Sequence, residues 1–330
     1  MNPKPNRPWT EVEAKSLGGK YLRQFWQPIC RTVDLPKGKV LRVPVFAEQW
    51  TLYRAEDGQP HLVSGYCPHR GTPLSLGVVV GSNLQCLHHG LLFQPSGECI
   101  IDGYEITTIP VKEKYGLIFA YFGSGSPPKL FFAQLEGSGN YWISPPEVWP
   151  CPFFLRLENT LDIRHVQSVH RYSNIADVID DPSYQITSQP GFIRLTLTAG
   201  PVVDYLAPNR LVFPVPIPQV GWRNIVCFRV PINNDTCISF SVALVNTPVP
   251  PVTPTKNPFL PSAIATIGER VLRGEVHLSD LVGRENLTEI EDYVVLVATH
   301  RSPIKTEKLA PFDEPIRLLR RDWLAASQNL

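Results

Sequence analysis

The chain has 330 residues, with 31 Lys and Arg against 30 Asp and Glu and 43% apolar content. That length suits about two domains with real cores, and a net charge of +1 excludes a strongly polyanionic partner such as nucleic acid or an anionic membrane surface. No apolar run approaches the roughly 18 residues needed to span a bilayer, and the opening MNPKPNRPWTEVEAKS has no apolar signal core, so a soluble, cytoplasmic protein is expected.

Lys20 to Pro28 reads as a short helix running into an apolar stretch. Short β-rich runs follow at Val40 to Phe46, Trp50 to Tyr53 and Leu62 to Ser64, with a turn at Glu56-Asp57-Gly58, and resume at Leu92-Phe93, Cys99 to Ile101 and Leu117 to Phe122. Many short strands with Gly and Pro turns predict an all-β sandwich-like domain over 25–124, after a lead segment at 1–24.

Two loops interrupt this series. Cys67-Pro68-His69-Arg70-Gly71 and Cys86-Leu87-His88-His89-Gly90 give Cys-x-His, sixteen intervening residues, then Cys-x-x-His. Two thiolates and two imidazoles, one of each kind per loop, are what a Rieske [2Fe-2S] centre requires: one iron keeps two Cys and the other takes two His. Structural zinc is the alternative, but zinc loops tend to pair Cys with Cys and His with His. Gly71 and Gly90 suit the tight turns that would enclose a cluster. His88 falls outside the spacing and reads as a surface residue or a neighbour of the ligands. The other five cysteines (Cys30, Cys99, Cys151, Cys227, Cys237) sit in apolar surroundings and read as reduced, buried thiols.

Gly123-Ser124-Gly125-Ser126-Pro127-Pro128 marks a boundary, and a mixed α+β domain is expected over 128–330. Phe153 to Leu157 reads as a strand-like apolar run leading into Glu158 to His170. Strands are predicted at Tyr184 to Thr187, Phe192 to Leu197, Ile225 to Val230 and Cys237 to Val245, the last two joined through Asn233-Asn234-Asp235. The proline-rich Pro248 to Pro261 is an extended connector. Helices are predicted at Ala263 to Leu272 and Leu287 to His300, the second with a capping-box-like Asn286 and Glu289, and an amphipathic basic segment closes the chain at Ile316 to Ala326.

A cluster alone moves electrons, so the second domain needs its own chemistry. His165 and His170, with a carboxylate, would form a facial triad that holds ferrous iron and leaves positions open for dioxygen and substrate. Five residues at about 100° each place His170 some 140° from His165, so a π-bulge or break is expected between them. Asp162, three residues before His165, would accept that ligand's second ring N–H. Among Glu289, Glu291 and Asp292, the sequence favours Asp292 as third ligand. It lies amid Ile290, Val294, Val295 and Leu296, where a buried carboxylate needs a partner, whereas Glu289 has the cap and Glu291 reads as solvated.

With both sites in view, the chain resembles the terminal oxygenase component of the Rieske non-haem iron oxygenases over nearly its whole length. Tyr21-Leu22-Arg23-Gln24-Phe25-Trp26-Gln27-Pro28, the Cys67 motif, Glu158-Asn159-Thr160-Leu161-Asp162 with its two histidines, and Glu291-Asp292 carry the resemblance. It is most similar to the vanillate and dicamba O-demethylases, phthalate and phenoxybenzoate oxygenases and saxitoxin-pathway hydroxylases. The resemblance implies a helix-grip catalytic domain, an antiparallel sheet plus helices. It implies Cys67, His69, Cys86 and His89 as cluster ligands, and His165, His170 and Asp292 as ligands of a mononuclear Fe(2+). It also implies a head-to-tail homotrimer in which Asp162 bridges His89 of one subunit and His165 of the next. Electrons would come from an NAD(P)H-dependent reductase or ferredoxin, and O2 with a small-molecule substrate would yield hydroxylation or oxidative demethylation. Dihydroxylation of an aromatic ring is the runner-up, and an electron-transfer protein that keeps only the cluster is the rival from another class. The sequence departs from the family where Leu91 follows Gly90 in place of Trp, and where Val297-Ala298-Thr299-His300 replaces a Glu-Gln-Gln-like stretch.

Overall fold

The computed structural model describes residues 8–101, 103–173, 182–198, 200–249, 251–303 and 307–329. Helix α1 (Leu17–Arg23) starts where Ser16 accepts the Gly19 N–H at 3.1 Å, three residues ahead of the expected Lys20. It ends at Arg23, so Gln27 and Pro28 of the expected stretch belong to a strand instead. Ten short strands follow: β1 (Gln27–Arg31), β2 (Val40–Val45), β3 (Glu48–Arg54), β4 (Pro60–Ser64), β5 (Val78–Val80), β6 (Asn83–Gln85), β7 (Leu92–Phe93), β8 (Thr108–Ile109), β9 (Val111–Lys114) and β10 (Leu117–Ala120). They pair antiparallel as β1-β10-β9, β2-β3-β4-β8 and β5-β6-β7. Cys99 to Ile101, expected as a strand, contributes only an isolated bridge between Cys99 and Phe93.

The second half is built on one long antiparallel sheet, ordered β11-β18-β17-β16-β15-β14-β13, with β12 also on β18. Its strands are β11 (Asn140–Ile143), β12 (Glu147–Trp149), β13 (Tyr184–Gln189), β14 (Phe192–Leu197), β15 (Val202–Leu206), β16 (Arg210–Ile217), β17 (Gly221–Asn233) and β18 (Thr236–Val245). Between β12 and β13 the chain forms α2 (Phe153–Leu161) and the short α3 (His165–Val169). After β18 come α4 (Ala263–Leu272), α5 (Leu287–Arg301) and α6 (Glu314–Gln328). The fold class is therefore α+β, an all-β part followed by a sheet with helices. Among the described residues no helix is long and apolar enough to cross a membrane.

Two expectations for the second half fail. Phe153 to Leu157 is helical: Phe153, Phe154, Leu157 and Leu161 recur at helical spacing, and all four are buried. That face lies on β15 to β18 and against α5 and α6. The cap of α5 also differs, because Asn286 is left-handed (φ 62°) and makes no side-chain cap hydrogen bond.

One continuous core joins the two halves. Phe119 of β10 meets Phe132 and Phe228 at ring-centroid distances of 5.6 and 5.7 Å, and Trp323 of α6 packs on Tyr21 at 5.1 Å and Phe154 at 5.5 Å. A separate small core of Tyr53, Val63, Leu74, Leu84, Phe93 and Ile106 lies beneath the two Cys/His loops.

Candidate metal centres

The two loops are built alike. In the first, the Cys67 N–H donates to the Thr72 carbonyl at 2.8 Å and the Gly71 N–H to the Cys67 carbonyl at 2.9 Å; in the second, Cys86 donates to Leu91 at 2.8 Å and Gly90 to Cys86 at 3.0 Å. Each loop closes on a left-handed glycine, Gly71 at φ 72° and Gly90 at φ 73°, a conformation that a side chain would strain. Both loops thus present their Cys inward and their His outward. Cys67 and Cys86 are 3% and 2% exposed, while His69 and His89 are exposed with ring centroids 4.6 Å apart.

Burial raises the Cys67 thiol, and the facing Cys86 raises it further; the backbone N–H groups of His69 and Arg70 offset only part of this, so without a metal the thiol form is favoured. The His89 imidazole is held below its usual range by desolvation and by the neighbouring His88, His69 and Arg70, which keeps it neutral and able to bind metal. His88 stacks on His89 at 3.8 Å and its Nδ1 lies 3.0 Å from the Thr72 hydroxyl, so it ties the second loop to the first. Two buried thiols beside two exposed imidazoles suit a cluster whose histidine-bound iron faces outward.

A second set of donors meets between α3 and α5. His165 Nε2 and His170 Nε2 each lie 3.4 Å from Asp292 Oδ1, and the ligand atoms of the three residues fall within 4.8 Å of one another. His165 opens α3 and His170 caps it at φ −90°, ψ 29°. The expected break is therefore not between the histidines. It precedes them at Asp162 to Arg164, where α2 ends, and His170 gains its direction by leaving the helix. Burial lowers the His170 pKa, but the hydrogen bonds its ring donates to Asp292 and Glu291 outweigh it and raise the metal-free imidazole to about 9. Asp292 is lowered well below the usual carboxylate range: burial opposes this, and the two histidines and Arg156 overcome it. Three such donors on one side suit a divalent cation with mixed imidazole and carboxylate ligands.

The surroundings of this site correct two expectations. Asp162 does not offer its carboxylate to the His165 ring; its backbone carbonyl takes His165 Nδ1, and the carboxylate faces the N–H groups of Arg164 and His165. Glu291 is not solvated. It is fully buried, with Oε2 3.0 Å from His170 Nδ1 and Oε1 accepting the Tyr172 N–H at 3.2 Å. Two residues not singled out in the sequence also converge. Asn159 Nδ2 donates to Asp292 Oδ1 at 3.0 Å, and Arg156 Nη1 lies 3.6 Å from Asp292 Oδ2. Their three-residue spacing puts them on one face of α2, a signal available in the sequence once α2 is read as a helix.

Residues 25–106 match the model of the Rieske [2Fe-2S] domain. The chain is 30% identical over 181 residues to the chloroplastic chlorophyllide a oxygenase of Arabidopsis thaliana, a match covering 50% of this chain and 34% of that protein. It is 34% identical over 139 residues to the phenoxybenzoate dioxygenase subunit alpha of Ectopseudomonas oleovorans, covering 38% and 33%. The chain thus spans about a third of the length of these curated relatives. Among solved structures, dicamba monooxygenase bound to dicamba superposes with a TM-score of 0.68 at 19% identity, covering 94% of this chain and 98% of that one, which establishes a shared fold.

Proposed function

We propose that this chain, which belongs to the Rieske non-haem iron oxygenases, hydroxylates or oxidatively demethylates an aromatic or other largely apolar small molecule with O2 and electrons from a reductase or ferredoxin. The observation that carries this reading is the meeting of His165, His170 and Asp292 in the same chain as a Rieske domain. In this reading Cys67, Cys86, His69 and His89 hold the [2Fe-2S] cluster, and His165, His170 and Asp292 hold one ferrous ion. When bound, the two centres supply dioxygen activation and the electrons it consumes. The protein's part is to place donors and leave room. Glu291 fixes the His170 ring through Nδ1, the Asp162 carbonyl fixes His165 through its own Nδ1, and both rings then present Nε2 inward.

We extend the reading to the division 25–124 and 128–330, a cytoplasmic setting and a head-to-tail homotrimer. Leu87, 64% exposed and next in sequence to His88 and His89, supplies apolar surface for a neighbouring copy to cover. There Asp162 would make the bridge with two groups, its backbone carbonyl on His165 Nδ1 and its carboxylate free to meet His89 of the next subunit's cluster. The relatives' names include both a dioxygenase and a monooxygenase, and products formed under labelled O2 separate one inserted oxygen atom from two. The test is substrate-stimulated O2 consumption with a surrogate reductase across aromatic ethers, aromatic acids and polycyclic natural products. O2 uptake matched by oxidised product supports an oxygenase. A protein that accepts and passes electrons with no substrate-dependent uptake would be an electron carrier instead.

A further inference from the structure

We infer that Arg156 holds Asp292 as a one-oxygen ligand, so that a metal takes Oδ1 while Oδ2 stays on the guanidinium; this deepens the reading of His165, His170 and Asp292 as a metal site and rests on it. The two carboxylate oxygens face different partners. Oδ1 is the atom 3.4 Å from both histidine Nε2 atoms, and Oδ2 is the atom 3.6 Å from Arg156 Nη1. Arg156 cannot follow a rotating carboxylate. Its side chain is 5% exposed, and its guanidinium carbon lies 3.5 Å from the centroid of the Trp149 ring, itself fully buried and packed on Tyr293 at 5.3 Å.

A buried guanidinium needs an anion close by, and among the described residues Arg156 Nε makes no hydrogen bond. Turning Asp292 to chelate with both oxygens would draw Oδ2 away from this cation and would also strain the Asn159 hydrogen bond to Oδ1. The protein therefore supplies three donor atoms, not four. On a six-coordinate ion, three positions stay free for water, O2 or substrate. Arg156 is in this sense a positioning residue, setting how many sites the ion keeps open without touching it.

The test uses Co2+ as probe, because its absorption edge is separate from the cluster iron. Purified full-length protein, its metal site emptied and its cluster intact by visible spectrum, is loaded with one Co2+, and the ligands are read by X-ray absorption and by the structure of the loaded protein. Wild type and Arg156→Lys are expected to show one Asp292 oxygen on the metal, and Arg156→Met two. Both Asp292 oxygens bound in wild type, or one still bound in Arg156→Met, overturns the inference while leaving the metal site standing. Failure of wild type to bind Co2+ in a manner lost in His165→Ala and His170→Ala overturns the metal site and the inference together. Should Arg156→Met fail to fold by circular dichroism, Arg156→Gln takes its place, and the wild-type coordination alone can still contradict the inference.

Discussion

Each ligand of the second site is held by a group one step further out, and these outer groups are harder to read from sequence than the ligands themselves. The Cys67, His69, Cys86 and His89 quartet could be read directly because all four lie on two loops whose spacing carries the pattern. Glu291 could not: its neighbours in sequence say only that it borders Asp292, and its bond to His170 joins residues 121 apart. We expect Glu291→Gln to weaken Co2+ or Fe2+ binding at the second site by about tenfold to a hundredfold, the usual cost of losing such a partner. Titration of metal-depleted protein measures this, and affinity within twofold of wild type would show that Glu291 does not orient His170. For Asp162→Asn we expect both centres to load and substrate-coupled reoxidation of the cluster to slow strongly. Normal single-turnover kinetics would remove Asp162 from the electron route.

Where an element differs from its local sequence appearance, packing decides. Phe153-Phe154-Leu155 looks like a strand core, yet its burial repeats at helical spacing because α2 lies across the sheet. Pro214 and Pro216 concealed β16, since proline cannot donate to a ladder. They are tolerated because β16 pairs with β15 only over Arg210 to Val212, and beyond that point it is bonded on one side alone. Helix α5, which carries Glu291 and Asp292, is braced by α4: Glu269 accepts the Tyr293 hydroxyl at 2.8 Å and both Arg301 Nη groups at 2.9 and 2.7 Å. The Arg301 hydrogen bond, with help from Tyr293, lowers the Glu269 pKa against burial. A depressed carboxylate stabilises the fold above its unfolded pKa, and that stability fades as pH falls through the folded value. Glu269→Gln should therefore cost about 0.5–1 kcal/mol at neutral pH, with the gap to wild type closing below about pH 4. A gap that persists unchanged at pH 3 would assign the loss to packing and not to charge.

At the scale of the whole molecule, the two halves are linked by more than chain continuity. Arg31 and Asp34, 1% and 0% exposed, pair at 2.8 Å and together grip the proline-rich connector. Arg31 donates to the Thr253 carbonyl at 3.0 Å and the Thr255 hydroxyl at 2.7 Å, and Asp34 accepts the Thr255 N–H at 2.7 Å. The connector's composition announced a loop, but nothing local to it named this anchor more than 200 residues away. Asp34→Asn leaves a buried cation short of its anion, and a loss of about 3–5 kcal/mol is expected in urea denaturation, together with faster proteolysis at 251–261. A loss under about 1 kcal/mol would mean the connector is held by its other contacts. The central claim is that one chain holds two different iron sites, and counting iron and acid-labile sulfide in anaerobically reconstituted protein tests it most directly. Three irons to two sulfides per chain in wild type, falling to two and two when His165 and His170 are both changed to Ala, is the result expected here. Two irons to two sulfides in wild type itself would contradict it.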